Sequence, residues 1–387
     1  MASSNDKQPY RGFEQGPIRP PSEARSLLVR ITRNCHWNRC TFCPVYKGQH
    51  FSIRPIEHVM QDLDAIATHM EKLTMLSAGS GMLLEEDVKN AYAALASEDT
   101  VSFRAALSWF LSGMESVFLQ DADCLVLKPS RLIVILNHLQ TLFPTIKRIT
   151  CYSRSDTINR ILLEDLVKLR LAGLNRIHIG MESGSDIILS QVCKGVSKDA
   201  HIRAGRTVKE AGIELSEYYM PGLGGKDNYR ENAIETADAM SRINPHFIRL
   251  RTLAIPSRAP LAEDLRAGRF NKCPDALVVE EILLFLHSLG PVTSYLASDH
   301  VLNLFPELEG ELPRDKERMI GLLDGFLAMN REKRFLYQLG RRLGIFTRIS
   351  DMDNPARMTE VREAAALRGA TPDNIDDITD AIIQRFI

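Results

Sequence analysis

Between positions 27 and 255, short runs rich in β-branched residues alternate with longer stretches of helical spacing. LLVRI (27–31), SVFLQ (116–120), KRITCYS (147–153), RIHIGM (176–181), ELSEYYM (214–220) and HFIRLRTLAI (246–255) read as six strands. Helices are predicted over 55–70, 129–143, 159–171, 197–211 and 229–242. Pro129 opens one of them, and Gly173 and Gly212 close two others. Strands separated by whole helices cannot pair as hairpins, so the sheet is expected to be parallel. Six βα units are too few to close an eight-stranded barrel. The predicted fold class is therefore α/β, a partial (β/α)6 barrel with additional helical segments and its site at the C-terminal ends of the strands.

The chain has 387 residues, enough for such a barrel with attachments. Residues 1–26 are polar and rich in proline and glycine, and read as a flexible lead-in. The barrel is expected over 27–262, with a helical insertion at about 71–113. A mainly helical region covering the barrel follows over 263–345, and a small helical appendage over 346–387. A formal net charge of -1 argues against a general nucleic-acid binder. No run of 18 apolar residues is present and the N-terminus lacks the apolar centre of a secretion signal. A cytoplasmic protein without membrane contact is expected.

Seven cysteines are present, and three fall within nine residues, in TRNCHWNRCTFCPVYKG. Cys35, Cys40 and Cys43 are separated by four and then two residues. Three thiolates after a strand can bind a soft metal or an iron–sulfur cluster. A structural zinc site wants a fourth protein ligand, which His50 or a later cysteine would have to supply. A [4Fe–4S] cluster held by three cysteines instead leaves one iron open to a small molecule. Cys124, Cys151, Cys193 and Cys273 are scattered; they read as buried free thiols, with a second cluster as the alternative.

The cysteine segment resembles the cluster loop of radical S-adenosylmethionine (SAM) enzymes, including the aromatic residue, Phe42, before the last cysteine. That loop usually has three residues in its first gap, and this chain has four. The resemblance covers roughly residues 27–255 and extends to an uncharacterised branch related to the Elp3 and HemN-like enzymes. It implies a [4Fe–4S] cluster on Cys35, Cys40 and Cys43 and SAM as the second cofactor. The cluster would cleave SAM reductively to a 5'-deoxyadenosyl radical, which abstracts hydrogen from an unidentified substrate.

The resemblance also implies roles at the strand ends. The acidic loop in VFLQDADCLVL supplies Asp121 and Asp123 for the SAM amino group; SAGSG at 77–81 is the rival loop. CYSRSD supplies Ser153 and Arg154, the arginine for the SAM carboxylate. GMESGSD supplies Glu182 and Ser183, and a glutamate after an apolar strand is not a core residue unless paired. PGLGG supplies Gly222 and Gly224 for close approach near the adenine. Arg249 and Arg251, two apart on one strand face, are substrate-side candidates with His300 and Asn303 of SDHVLN. With about 26 residues before the core, no cobalamin domain is expected ahead of it. The expected partners are a small-molecule substrate and an electron donor such as flavodoxin or ferredoxin, under anaerobic conditions. Two other readings use the same residues: a non-enzymatic iron–sulfur or haem carrier on this fold, and a zinc-stabilised protein that binds RNA or protein.

Overall fold

The computed structural model describes residues 9–78 and 82–384. Most of SAGSG, the rival loop at 77–81, lies outside them. Ten strands are present among the described residues: β1 (Leu27–Arg30), β2 (Thr32–Arg33), β3 (Ser52–Ile53), β4 (Ser116–Gln120), β5 (Arg148–Ser153), β6 (Leu174–Glu182), β7 (Glu214–Tyr219), β8 (Phe247–Leu250), β9 (Tyr295–Ala297) and β10 (Gly310–Glu311). Eight of them form one sheet in the order β1-β4-β5-β6-β7-β8-β9-β10. The pairs β1–β4, β4–β5, β5–β6, β7–β8 and β8–β9 are parallel, and β9–β10 is antiparallel. The sheet is open: among the described residues β1 and β10 do not pair with each other. The six predicted strands are all present, as expected of a partial barrel. β9 and β10 add to them beyond the sixth. Three- and two-residue strands are too short to show a period in sequence.

The chain divides into two compact units. The first takes residues up to Asn38, Val45–Ile179 and Thr207–Glu214. It holds β1, β4, β5 and most of β6. The helix Ile56–Ala78 is longer than the predicted 55–70 and buries Val59, Leu63, Ile66, Met70 and Leu73, the three-and-four spacing of one helix face. Thr100–Leu111 buries Phe103, Ala106 and Trp109 in the same way. Trp109 Nε1 donates to the carbonyl of Ser116, the first residue of β4, at 2.9 Å, and its ring meets Phe143 edge-on. This inserted piece is thereby part of the first unit's core. The lead-in residues are also built in: Gln120 exchanges hydrogen bonds with Gly16 and donates to the Ile18 carbonyl.

The second unit takes Arg39–Pro44, Gly180–Arg206 and Leu215–Ile387. It holds β7 to β10 and the helices that follow. The helix Arg331–Arg342 packs against Pro355–Arg368 and Ile375–Ile383. Arg342 grips Asp275 with Nη2 at 2.9 and 3.2 Å, and Gln384 donates to the Ile255 carbonyl at 2.8 Å. The turn after β7 is fixed by a buried acid, Glu281. Its carboxylate accepts from Tyr219 Oη at 2.7 Å, Asn232 Nδ2 at 2.7 Å and the Gly222 N–H at 2.9 Å. Gly222 itself has φ +89°, which only glycine adopts freely.

Burial pushes the Glu281 carboxyl up to about 7, against the pull of its three donors. A carboxyl raised above its ordinary 4.5 takes up a proton on folding. The stability this contributes is complete below pH 4.5 and is lost as the pH rises through about 7. The melting temperature should therefore fall between about pH 4.5 and about pH 7 and level off above that, and Glu281→Gln should remove part of that fall. Identical pH slopes for the two proteins in thermal unfolding would contradict this.

Candidate functional site

The cysteine segment leaves the sheet after β1. Its base is closed by the antiparallel pair β2–β3, with Thr32 opposite Ile53 and Arg33 opposite Ser52. A single buried carboxylate, Asp121 at the end of β4, holds both ends of the loop. Its Oδ2 accepts from Arg30 Nη2 at 2.8 Å and from the Asn34 N–H, one residue before Cys35, at 3.3 Å. Its Oδ1 accepts from Tyr46 Oη, three residues past Cys43. Asn38 Nδ2 donates to the Tyr46 carbonyl at 2.6 Å and Lys47 Nζ to the Asn38 carbonyl at 2.7 Å. A Cβ at Gly16 would stand 2.8 Å from Asp121 Oδ1, so glycine is needed there.

Asp123 is equally buried. Its Oδ1 accepts from Ser153 Oγ at 2.9 Å and its Oδ2 from Thr157 Oγ1 at 2.5 Å. His36 Nδ1 lies 3.5 Å from the same Oδ2. Burial raises the carboxyl to about 6, opposed by Thr157, His36 and Ser153. Arg154 Nε donates to Asp156 Oδ1 at 2.9 Å, and its guanidinium carbon lies 5.2 Å from the centre of the Trp37 ring. The structure thus brings Asp121, Asp123, Ser153 and Arg154 together in the first unit, with much of their bonding capacity spent on one another and on the loop.

In the second unit a different group stands under-supplied with donors. Glu182, at the end of β6, adopts φ +68° and is buried. Its Oε1 lies 3.3 Å from Lys194 Nζ, while Oε2 is buried without a hydrogen-bond partner among the described residues. Glu217 is fully buried and neither of its carboxylate oxygens has a partner there. Burial pushes its carboxyl well above the usual range; the nearby Lys194 charge opposes this and Glu182 adds to it. The Lys194 ammonium also sits 5.9 Å from the centre of the Phe42 ring. A Cβ at Gly180 would stand 2.3 Å from Glu182 Oε1, so glycine clears the room this pair occupies. Ser183 Oγ accepts from the Ser185 N–H at 3.0 Å, and Gly224 packs where a Cβ would meet the Asn228 carbonyl oxygen at 2.7 Å. Lys194 and Glu217 are absent from the sequence-predicted set. The signal for Lys194 is its place in QVCKG (191–195), twelve residues past the strand-end glutamate; an isolated glutamate in ELSEYYM carries none.

The substrate-side candidates divide. Arg249 is buried, donates to Ser216 Oγ at 3.1 Å and pairs with Asp299. Arg251 is exposed and makes no side-chain ion pair among the described residues. His300 Nδ1 accepts from the Leu302 N–H at 3.3 Å, which leaves Nε2 to carry the proton. Burial, and secondarily the Arg251 charge, lower the His300 pKa to about 4. Asn303 spends its amide on the fold: Oδ1 accepts from the Thr252 N–H at 2.9 Å, and Nδ2 donates to the Leu250 carbonyl at 2.8 Å and to Ser298 Oγ at 3.1 Å.

All seven cysteines are free thiols. Cys35 Sγ accepts from the Asn38 N–H at 3.4 Å. The Cys43 N–H closes a turn on the Cys40 carbonyl, and the Thr41 N–H is held by the Val192 carbonyl at 3.0 Å. Among the described residues, no three side chains of His, Cys, Asp or Glu converge as a single-ion site would require. An iron–sulfur cluster takes one thiolate per iron with sulfide between them, so it does not require the convergence of a single-ion site.

The family model described as the radical SAM superfamily matches residues 29–237. No curated protein matches the chain. Among solved structures, the chain is similar to coproporphyrinogen III oxidase (HemN) from Escherichia coli, at 17% identity and a TM-score of 0.45 over 68% of this chain and 52% of that one. It is also similar to Elp3 from Methanocaldococcus infernus, at 16% identity and 0.40 over 50% and 51%. TsrM from Kitasatospora setae, a radical SAM methyltransferase, matches at 15% identity and 0.43 over 92% and 62%. The chain thus spans about half to three-fifths of the length of these proteins. The match over more than half of its length makes this chain a member of the radical SAM superfamily, enzymes that work with a [4Fe–4S] cluster and S-adenosylmethionine.

Proposed function

We propose that Cys35, Cys40 and Cys43 hold the cluster, that Glu182 and Lys194 hold SAM, and that the substrate is a small molecule met by Arg251 and His300. The observation that carries this reading is the donor-poor group of Glu182, Lys194 and Glu217. A buried acceptor without a partner costs about 1–3 kcal/mol. Three such oxygens favour a ligand that brings hydroxyl or ammonium donors, and SAM carries both kinds of group. Asp121 and Asp123, whose oxygens are already occupied by the protein, serve in this reading to hold the loop.

When bound, the two cofactors supply a 5'-deoxyadenosyl radical for hydrogen abstraction. The chain's own work is to orient and to exclude water. The cysteines fix the cluster, with the Asn38 N–H bonded to Cys35 Sγ. Phe42 and the apolar strand ends limit access by solvent. Arg249, neutralised by Asp299, steadies the wall, and Arg251 keeps its charge available for an anionic group of the substrate. His300 is neutral at pH 7 and offers Nε2–H as a donor. No described helix is long and apolar enough to cross a membrane. The electron donor is proposed to be a small carrier such as flavodoxin or ferredoxin, acting in an anaerobic cytoplasm.

Anaerobically reconstituted protein with dithionite should convert SAM to methionine and 5'-deoxyadenosine, and Cys40→Ala should abolish both the cluster signal in electron paramagnetic resonance and the cleavage. A cluster that forms without any SAM cleavage would favour the carrier reading instead. Glu182→Gln and Lys194→Met should each weaken SAM binding to the reconstituted protein by roughly tenfold to a hundredfold, the value of one charge-assisted hydrogen bond. Affinities within twofold of the parent protein would remove these residues from the site. By NMR, the His300 ring should show no titration between about pH 5.5 and 8; a midpoint near 6.5 would contradict its neutral assignment.

A further inference from the structure

The four-residue gap between Cys35 and Cys40 has a structural counterpart. Its first two residues, His36 and Trp37, do not stay within the loop; both engage the segment that follows β5. The His36 ring faces two carboxylates, Asp123 Oδ2 from Nδ1 at 3.5 Å and Asp156 Oδ2 from Nε2 at 3.8 Å. Its edge also meets the Phe51 ring, with centres 5.7 Å apart. Trp37 lies against the Arg154 guanidinium, and Arg154 is itself held by Asp156. Asp123 is in turn fixed by Ser153 and Thr157. Asn38 then turns the chain back, with φ +45°, and bonds to Cys35 Sγ and to the Tyr46 carbonyl.

The geometry points to His36 and Trp37 as positioning residues that clamp the Cys35 end of the cysteine loop onto the end of β5, with the longer first gap giving them the reach to do so. This rests on the reading of Cys35 as a cluster ligand and adds to it the device that fixes that ligand. The physical argument is one of redundancy. A thiolate on a loop held only at its base keeps several rotamers and backbone states, whereas two side chains anchored on a buried carboxylate and a fixed guanidinium remove them. The clamp also uses contacts of two kinds, polar on His36 and cation–π on Trp37, so each can be broken separately.

The test uses the full chain, reconstituted anaerobically with iron and sulfide. The readouts are the rate of iron loss to an added ferrous chelator, the paramagnetic resonance spectrum of the reduced cluster without SAM, and the melting temperature. Trp37→Ala should lose iron roughly tenfold faster than the parent and broaden the cluster spectrum at an unchanged melting temperature. Trp37→Phe, which keeps an aromatic face for Arg154, should restore both. If Trp37→Ala lowers the melting temperature, His36→Gln carries the test, since it keeps a polar side chain and removes the ring that faces Asp123 and Asp156. Parent-like iron loss and spectra in both Trp37→Ala and His36→Gln would overturn the clamp while leaving the cluster assignment intact. A parent protein that takes up no cluster would overturn the ligand assignment, and the clamp with it.

Discussion

The grip of Asp121 on both ends of the cysteine loop is the constraint on which the rest of the site depends. One buried carboxylate cannot remain without donors, since burying an unpaired charge costs several kcal/mol. Its donors here are Arg30 on β1, the Asn34 backbone just before Cys35, and Tyr46 just after Cys43. The need to satisfy Asp121 therefore fixes where the loop starts and where it ends. Gly16 completes the arrangement by letting the lead-in chain pass close to the carboxylate. Burial and this partner together push the Tyr46 phenol far above its ordinary range, which keeps it a donor at any physiological pH.

Against that closed group stands the open one around Lys194. Two glutamates share the neighbourhood of one ammonium, and three of their oxygens are buried without partners among the described residues. Folded proteins rarely keep such groups, and where they do the usual reasons are a bound water, an ion or a ligand. The contrast explains why two pairs of acidic residues that look alike in sequence differ in what they offer. Asp121 and Asp123 have spent their acceptors on the protein; Glu182 and Glu217 have not.

The sheet was largely legible from the chain alone, because a helix between every two strands admits only parallel pairing. SVFLQ, KRITCYS and ELSEYYM became β4, β5 and β7 within a residue or so. The long strand expected over 246–255 shortened to Phe247–Leu250, since Arg251 and Leu253 bond back to Tyr219 and Pro221 outside a regular ladder. β9 and β10 escaped notice for lack of length. Residue types at the site were also legible, but their partners were not. Nothing in VFLQDADCLVL says that its first aspartate will meet Tyr46, 75 positions away. Nor does Lys194 advertise in sequence that it faces Glu182.

What the sequence by itself determined is the chemistry on offer: three closely spaced thiols, strand-end acids and glycines, and a βα order that sends the strand ends to one edge. Periodicity and spacing are local properties, and local properties survive being read in one dimension. What only the tertiary structure decided is which of those groups are already satisfied. Satisfaction depends on donors brought from dozens of residues away, as with Arg30 and Tyr46 on Asp121 or Lys194 on Glu182. The odd first gap of the cysteine loop belongs to both. Its length is written in the chain, but its use, two side chains reaching Asp123 and Arg154, exists only once β4 and β5 lie side by side.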